Sequence, residues 1–140
     1  MDFKLELVLL PVTDVDRAKA FYERAGFRLD VDHQASDEFR VVQFTPPGSA
    51  CSISFGVGFV TSAPGCIRGL HLVVTDVDAA RDELIGRGID VDAVRHMTPS
   101  GWEPGSDPDH ADYNSYAEFT DPDGNMWMLQ EVGYEAAAAG

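Results

Sequence analysis

At 140 residues, 44% apolar and 10% aromatic, the chain can build one domain or two small halves sharing a core. It has no run near the roughly 18 apolar residues of a membrane span, and its two cysteines are too few for a disulfide framework. The net charge of −14 is lopsided, with 7 basic and 9 acidic residues in the first seventy against 3 and 15 in the last seventy. Such a surface repels nucleic-acid backbones and anionic lipid, and it disfavours multiply anionic substrates.

In chain order, LELVLLPV (5–12) predicts a strand, its apolar stretch lacks the small-residue cleavage site of a secretory signal, and with only two cysteines and no CxxC pair a reduced cytoplasmic compartment is expected. TDVDRAKAFYERAGF (13–27) predicts a helix, with Thr13 as N-cap, an apolar stripe of Val15, Ala18 and Tyr22, and Gly26 as the stop. Strands are expected at 27–33, 39–45 and 51–57, and SAPGC (62–66) reads as a linker. GLHLVVT (69–75) opens a second round. TDVDAARDELIGRGI (75–89) matches the first helix at six of fifteen positions, with Thr75, the stripe Val77, Ala80 and Leu84, and Gly88 in the same roles. Strands follow at 89–97, 116–120 and 126–132, the last two joined by the tight turn DPDGN. The organisation is therefore a first module over 1–61, a linker over 62–68, a second module over 69–134 and a frayed tail, EAAAAG, over 135–140.

The opening TDVD–helix–FY–GF and the ending DPDGN-MWMLQE resemble the vicinal oxygen chelate superfamily, the glyoxalase, bleomycin-resistance and extradiol-dioxygenase group. The resemblance runs from about residue 3 to 132. It implies an α+β fold of two βαβββ modules, whose curved mixed sheets form a cup around a ligand, and a homodimer.

The resemblance also implies four metal-ligand positions, filled by His or Glu in metal-dependent members. Here they hold Leu7, Ser54, Gly69 and Met128, which cannot bind a hard divalent ion. No metal or other cofactor is therefore expected. Strand alternation points His71 into the cup, two residues along from position 69, with Glu118 on a nearby strand. The pair is a candidate either for acid–base catalysis or for a displaced metal site. The expected ligand-binding set is Leu7, Leu9, Ser52, Ser54, His71, Trp102, Glu118, Met126, Met128 and Gln130, an apolar wall with sparse polar points.

His33 and His96 are expected at strand ends, half exposed, and His110 in a solvated loop. Trp127 should face the helix layer as core. The connection 98–115 is an insertion of the kind that forms lids, and its Trp102 is either an anchor folded over the cup or a packing plug. Three functions stay open. The first is a metal-free, bleomycin-resistance-like protein that binds an apolar or aromatic small molecule for sequestration. The second is a lyase, isomerase or cyclase using His71 and Glu118, and the third a structural or regulatory subunit with a plugged cup.

Overall fold

A computed structural model describes residues 1–137, arranged as two compact units. The first comprises Met1–Ile67 together with the turn Asp121–Asn125, and the second Arg68–Thr120 together with the chain from Met126 onward. The DPDGN turn thus groups with the first unit, although in sequence it lies inside the second module.

The first unit is a βαβββ module: β1 (Leu7–Leu9), α1 (Val15–Arg24), β2 (Arg28–Ser36), β3 (Phe39–Thr45) and β4 (Ser52–Val57). Its sheet runs β1-β4-β3-β2, with β1 parallel to β4 and the other pairs antiparallel. The register sets Val42 opposite Phe55 and Phe44 opposite Ile53, so these four share one face. Tyr22 of α1 packs there, 6.0 Å from Phe44, 5.7 Å from Phe55 and 5.5 Å from Phe27 between ring centroids. Each fully buried aromatic contributes about 1.5–3 kcal/mol. The buried Tyr22 hydroxyl donates to Asp121 Oδ2 at 2.8 Å. In the same turn Asn125 Nδ2 donates to the Pro11 carbonyl at 2.9 Å, and Asp121 Oδ1 accepts the Asp123 and Asn125 amides. These bonds account for the acidic turn structurally.

The second unit contains β5 (Leu70–Val74), α2 (Val77–Gly86), β6 (Arg95–Thr98), β7 (Gly101–Pro104), β8 (Ser115–Thr120) and β9 (Met126–Glu131). The order is β5-β9-β8-β6-β7, with β5 parallel to β9. This is the expected module plus one edge strand, β7, inside the connection expected to be an irregular loop. The rest of that connection is tied down as well. Asn114 bonds the Met97 amide and carbonyl, and its amide nitrogen donates to Asp107 at 2.9 Å.

The helix starts correct the expected caps. Asp14 and Asp76, not Thr13 and Thr75, are the N-caps, accepting the Arg17 and Ala79 amides at 3.0 Å. Each caps the amide three residues on, so a helix starting at Val15 or Val77 takes the aspartate before it. The expected glycine stops are present. Gly26 and Gly88 have φ of 89° and 84°, and the following residues donate back to Tyr22 and Leu84, closing both helices in Schellman motifs.

The strand expected at 89–97 forms only from Arg95. Upstream, the Asp92 amide still donates to Glu118 O at 2.8 Å, but the Val91 and Asp92 carbonyls accept from the Arg81 guanidinium at 3.1 and 2.8 Å in place of a strand partner. The N-terminal strand is likewise short, because Pro11, lacking an N–H, follows the last ladder bond from Leu10. Part of the tail expected to fray lies outside the described residues. Within them, the Glu135 and Ala137 amides donate to Thr75 O and Asp76 Oδ2.

Candidate functional site: the open face of the five-stranded sheet

Side chains of the five-stranded sheet divide cleanly by register. Trp127, Leu129, Ala117 and Phe119 point to the α2 side, and all are buried. Trp127 stacks on Phe119 at 6.1 Å, as expected for core. Glu131 shares that face and accepts the Val77 amide at 3.0 Å, which fixes α2 on that side. The opposite face therefore carries Met126, Met128 and Gln130 of β9, Tyr116 and Glu118 of β8, and His71 and Val73 of β5.

The β6–β7 hairpin extends this open face. Arg95 lies across from Tyr116, and Trp102 across from Met97. Trp102 meets Tyr116 edge-on with centroids 5.6 Å apart, and the Arg95 guanidinium lies over the indole, 4.9 Å from its centroid. Trp102 is still 52% exposed. It is thus neither lid nor plug but part of a strand, with an aromatic surface available for contact.

Of the residues singled out in the sequence, six fall together on this face: His71, Trp102, Glu118, Met126, Met128 and Gln130. His71 and Glu118 both sit directly across from Met128 on the strands flanking β9. Two strand spacings, about 10 Å between Cα atoms, separate them. His71 Nδ1 is hydrogen-bonded to Gly69 O at 2.6 Å.

Leu7, Leu9, Ser52 and Ser54 lie instead on the non-helical face of the four-stranded sheet. Leu7 and Leu9 are exposed there, but the serine hydroxyls are committed internally. Ser54 donates to Val42 O at 3.0 Å. Thr45 donates to Asp30, a bond that, ahead of the Arg28 contact at 2.7 Å, holds the Asp30 carboxyl below its usual range. A carboxylate only accepts, so Ser52, 2.7 Å from Thr45 Oγ1, must donate to Thr45.

The other histidines differ from expectation. His33 is an exposed residue within β2, whereas His96 is buried on the α2 side, with Nδ1 2.7 Å from Gly105 O. His110 is no solvated loop residue. Its Nδ1 lies 2.9 Å from Glu131 Oε2, and its ring stacks on Tyr134 at 3.6 Å. Arg95, Met97 and Tyr116 belong to the open face but were not singled out in the sequence. Alternation within YAEFT pairs Tyr116 with Glu118 and could have found one of them. An open groove of about 810 Å³ elsewhere, between α2 and Ala137, is lined by Val74, Ala79 and Ala80 together with the carboxylates Asp76, Asp82 and Glu83.

The positions that the fold family uses for metal hold no suitable donors. Leu7 is apolar, Gly69 has no side chain, Met128 offers a thioether, and the Ser54 hydroxyl is already spent. These residues do not fit a hard divalent ion. Among the described residues, no group of three or more His, Cys, Asp or Glu side chains is placed to hold one.

Two βαβββ units, each with a helix on one sheet face, define a class that known proteins make specific. The chain belongs to the Glyoxalase/Bleomycin resistance protein/Dioxygenase superfamily, whose family model matches residues 4–129. It is similar to TnmS3, an antibiotic binding protein from Streptomyces sp. CB03234, with 35% identity, coverage of 94% of this chain and 97% of that one, and a TM-score of 0.71. A glyoxalase/bleomycin resistance protein from the same organism is 36% identical, with 91% and 99% coverage and a TM-score of 0.67. The uncharacterized protein YetH of Bacillus subtilis (strain 168) is 22% identical over 125 residues, 89% of this chain and 94% of that protein.

Proposed function

We propose that this protein binds a flat, largely apolar small molecule on the open face of its five-stranded sheet, without a metal, and sequesters it unchanged. The observation that carries this reading is the aromatic corner of Trp102 and Tyr116 beside Met97 and Met128. Rigid rings supply contact area at low entropic cost, and methionines adapt to irregular ligands. The similarity to an antibiotic binding protein supports the same reading. The test is titration with a panel of planar aromatic compounds, read by tryptophan fluorescence and followed by mass spectrometry of the recovered ligand. Saturable quenching with intact ligand is expected, weakened about 10- to 100-fold by Trp102→Ala. No saturation with any compound, or conversion of the ligand, overturns the proposal.

A second reading is acid–base catalysis by His71 and Glu118, favoured by their common face and their register on either side of Met128. Ligand turnover abolished by both His71→Ala and Glu118→Gln would establish it. Full turnover in either variant would remove it.

A homodimer goes with the binding reading. Phe3, Leu5, Leu7 and Leu9 alternate along the N-terminal segment, with 92%, 71%, 38% and 40% of their surface exposed, an apolar row that leads into the edge strand β1. Light scattering giving twice the 15.2 kDa chain mass is the expected result. The free thiols of Cys51 and Cys66 suit a reducing, cytoplasmic setting. No helix among the described residues is long and apolar enough to cross a membrane.

A further inference from the structure

The charges on the open face have a pattern that an apolar ligand alone does not require. Arg17, Lys19, Arg28, Arg40 and Arg87 each lie within 4.0 Å of a carboxylate. The Arg95 side chain, in a chain with 24 acidic residues, makes no ion pair or hydrogen bond among the described residues; Lys4 and Arg24 share that lack but are solvent-exposed, whereas Arg95 lies against the sheet face. Its contact is with the Trp102 ring, 4.9 Å from the guanidinium carbon, and it is only partly exposed. A guanidinium held against a ring by cation–π attraction still has N–H groups to donate, in a fork that fits a planar oxyanion.

Glu118 is the counterpart. It stands two residues beyond Tyr116, diagonally across from Arg95 on the same face, about 7–8 Å away between Cα atoms. The two charges do not pair with each other, and the Glu118 carboxylate has no hydrogen-bond partner among the described residues. Two partly buried, opposite, unpaired charges beside an aromatic corner leave a donor fork and an acceptor open to a ligand.

We infer that the ligand is an aromatic monoanion whose carboxylate or phenolate is taken by Arg95, and whose hydrogen-bond donor, several ångströms along the ring system, is taken by Glu118. This rests on the proposal that the face binds planar aromatics, and it names the chemical class. The net charge of −14 opposes a second negative group on the ligand, while one negative group is held locally by Arg95.

The test is calorimetric titration of the full chain at pH 7.5 with 2-naphthoate, its neutral isostere 2-naphthamide, and 6-hydroxy-2-naphthoate. Naphthoate is expected to bind about tenfold more tightly than the amide, an advantage that shrinks with added salt. Arg95→Gln should remove that preference, weakening naphthoate about tenfold more than the amide. The hydroxyl should tighten binding several-fold in the wild type but not in Glu118→Ala. If the amide binds as well as naphthoate, or the preference survives Arg95→Gln, the charge assignment is overturned while aromatic binding stands. If the hydroxyl gain survives Glu118→Ala, the donor assignment is overturned. If none of the three probes binds, the aromatic-binding proposal falls, and this inference with it.

Discussion

Glu131, near the end of the last strand, caps the second helix by accepting the Val77 amide at 3.0 Å. Its other oxygen lies 2.9 Å from His110 Nδ1, and the carboxylate is fully buried. One side chain thus joins β9, the N-terminus of α2 and the segment after the β6–β7 hairpin. Glu131→Ala leaves the buried Val77 amide and His110 Nδ1 without their hydrogen-bond acceptor and should cost about 2–4 kcal/mol. Glu131→Gln keeps an oxygen for Val77 and should cost less than half as much. Urea unfolding followed by circular dichroism separates the two, and equal losses would exclude the capping role.

The helix caps give a second prediction. Asp76 accepts the Ala79 amide at 3.0 Å and the Ala137 amide at 3.1 Å, and the Ala79 bond is the main reason its carboxyl is held below the usual range. Asp76→Ala should therefore cost about 1 kcal/mol. The side chain of Thr75, one residue earlier, makes no such bond among the described residues, and Thr75→Ala should stay within about 0.5 kcal/mol. Thermal melts of the two variants, compared with the wild type, check the order.

Asp32 sets a pH dependence. Hydrogen bonds from Arg40 and then Lys19 pull its pKa from 3.8 down to about 2. The folded state therefore resists protonation that the unfolded chain accepts, and the stabilisation, present above about pH 4, is lost as pH falls towards 2. Because the group is partly solvated, the contribution is about 1 kcal/mol and shrinks with salt. Asp32→Asn should be less stable than wild type at pH 7, with the two stability curves converging near pH 2. A constant gap across that range would refute the coupling.

The parts of this fold that sequence could show are those governed by local rules. Strand β3 coincides with the predicted 39–45 because Val42 and Phe44 alternate with more accessible neighbours on a pleated surface. The helices are legible from their stripes and glycine stops. Segment 89–94 deceived because Ile89 and Val91 alternate and are buried, yet the Val91 and Asp92 carbonyls go to Arg81, a long-range partner with no local signature. Strand β7 was hidden because Gly-Trp-Glu-Pro reads as a turn and forms a strand only by pairing with β6. The same division holds at the site. Alternation alone puts Met126, Met128 and Gln130 on one face. The commitment of Ser52 depends on Thr45 and on Asp30, at a register shift in β2 that composition does not encode.

Metal binding provides the last prediction. The open face holds two potential donors, His71 and Glu118, with the Met128 thioether between them in register. Neutral imidazole and carboxylate suit zinc, but two donors about 10 Å apart at their Cα atoms cannot close a tetrahedral site. Wild-type protein purified without chelator and then exposed to zinc should retain well under one ion per chain by elemental analysis. Met128→His places a third donor between the other two, giving three side chains on adjacent strands of one face, and should raise zinc retention towards one ion. It should nevertheless confer no glyoxalase turnover, because Leu7, Ser54 and Gly69 leave the other family positions without donors. Stoichiometric zinc in the wild type would instead place a metal at His71 and Glu118 and make catalysis the leading function. Loss of that zinc in His71→Ala would then locate it.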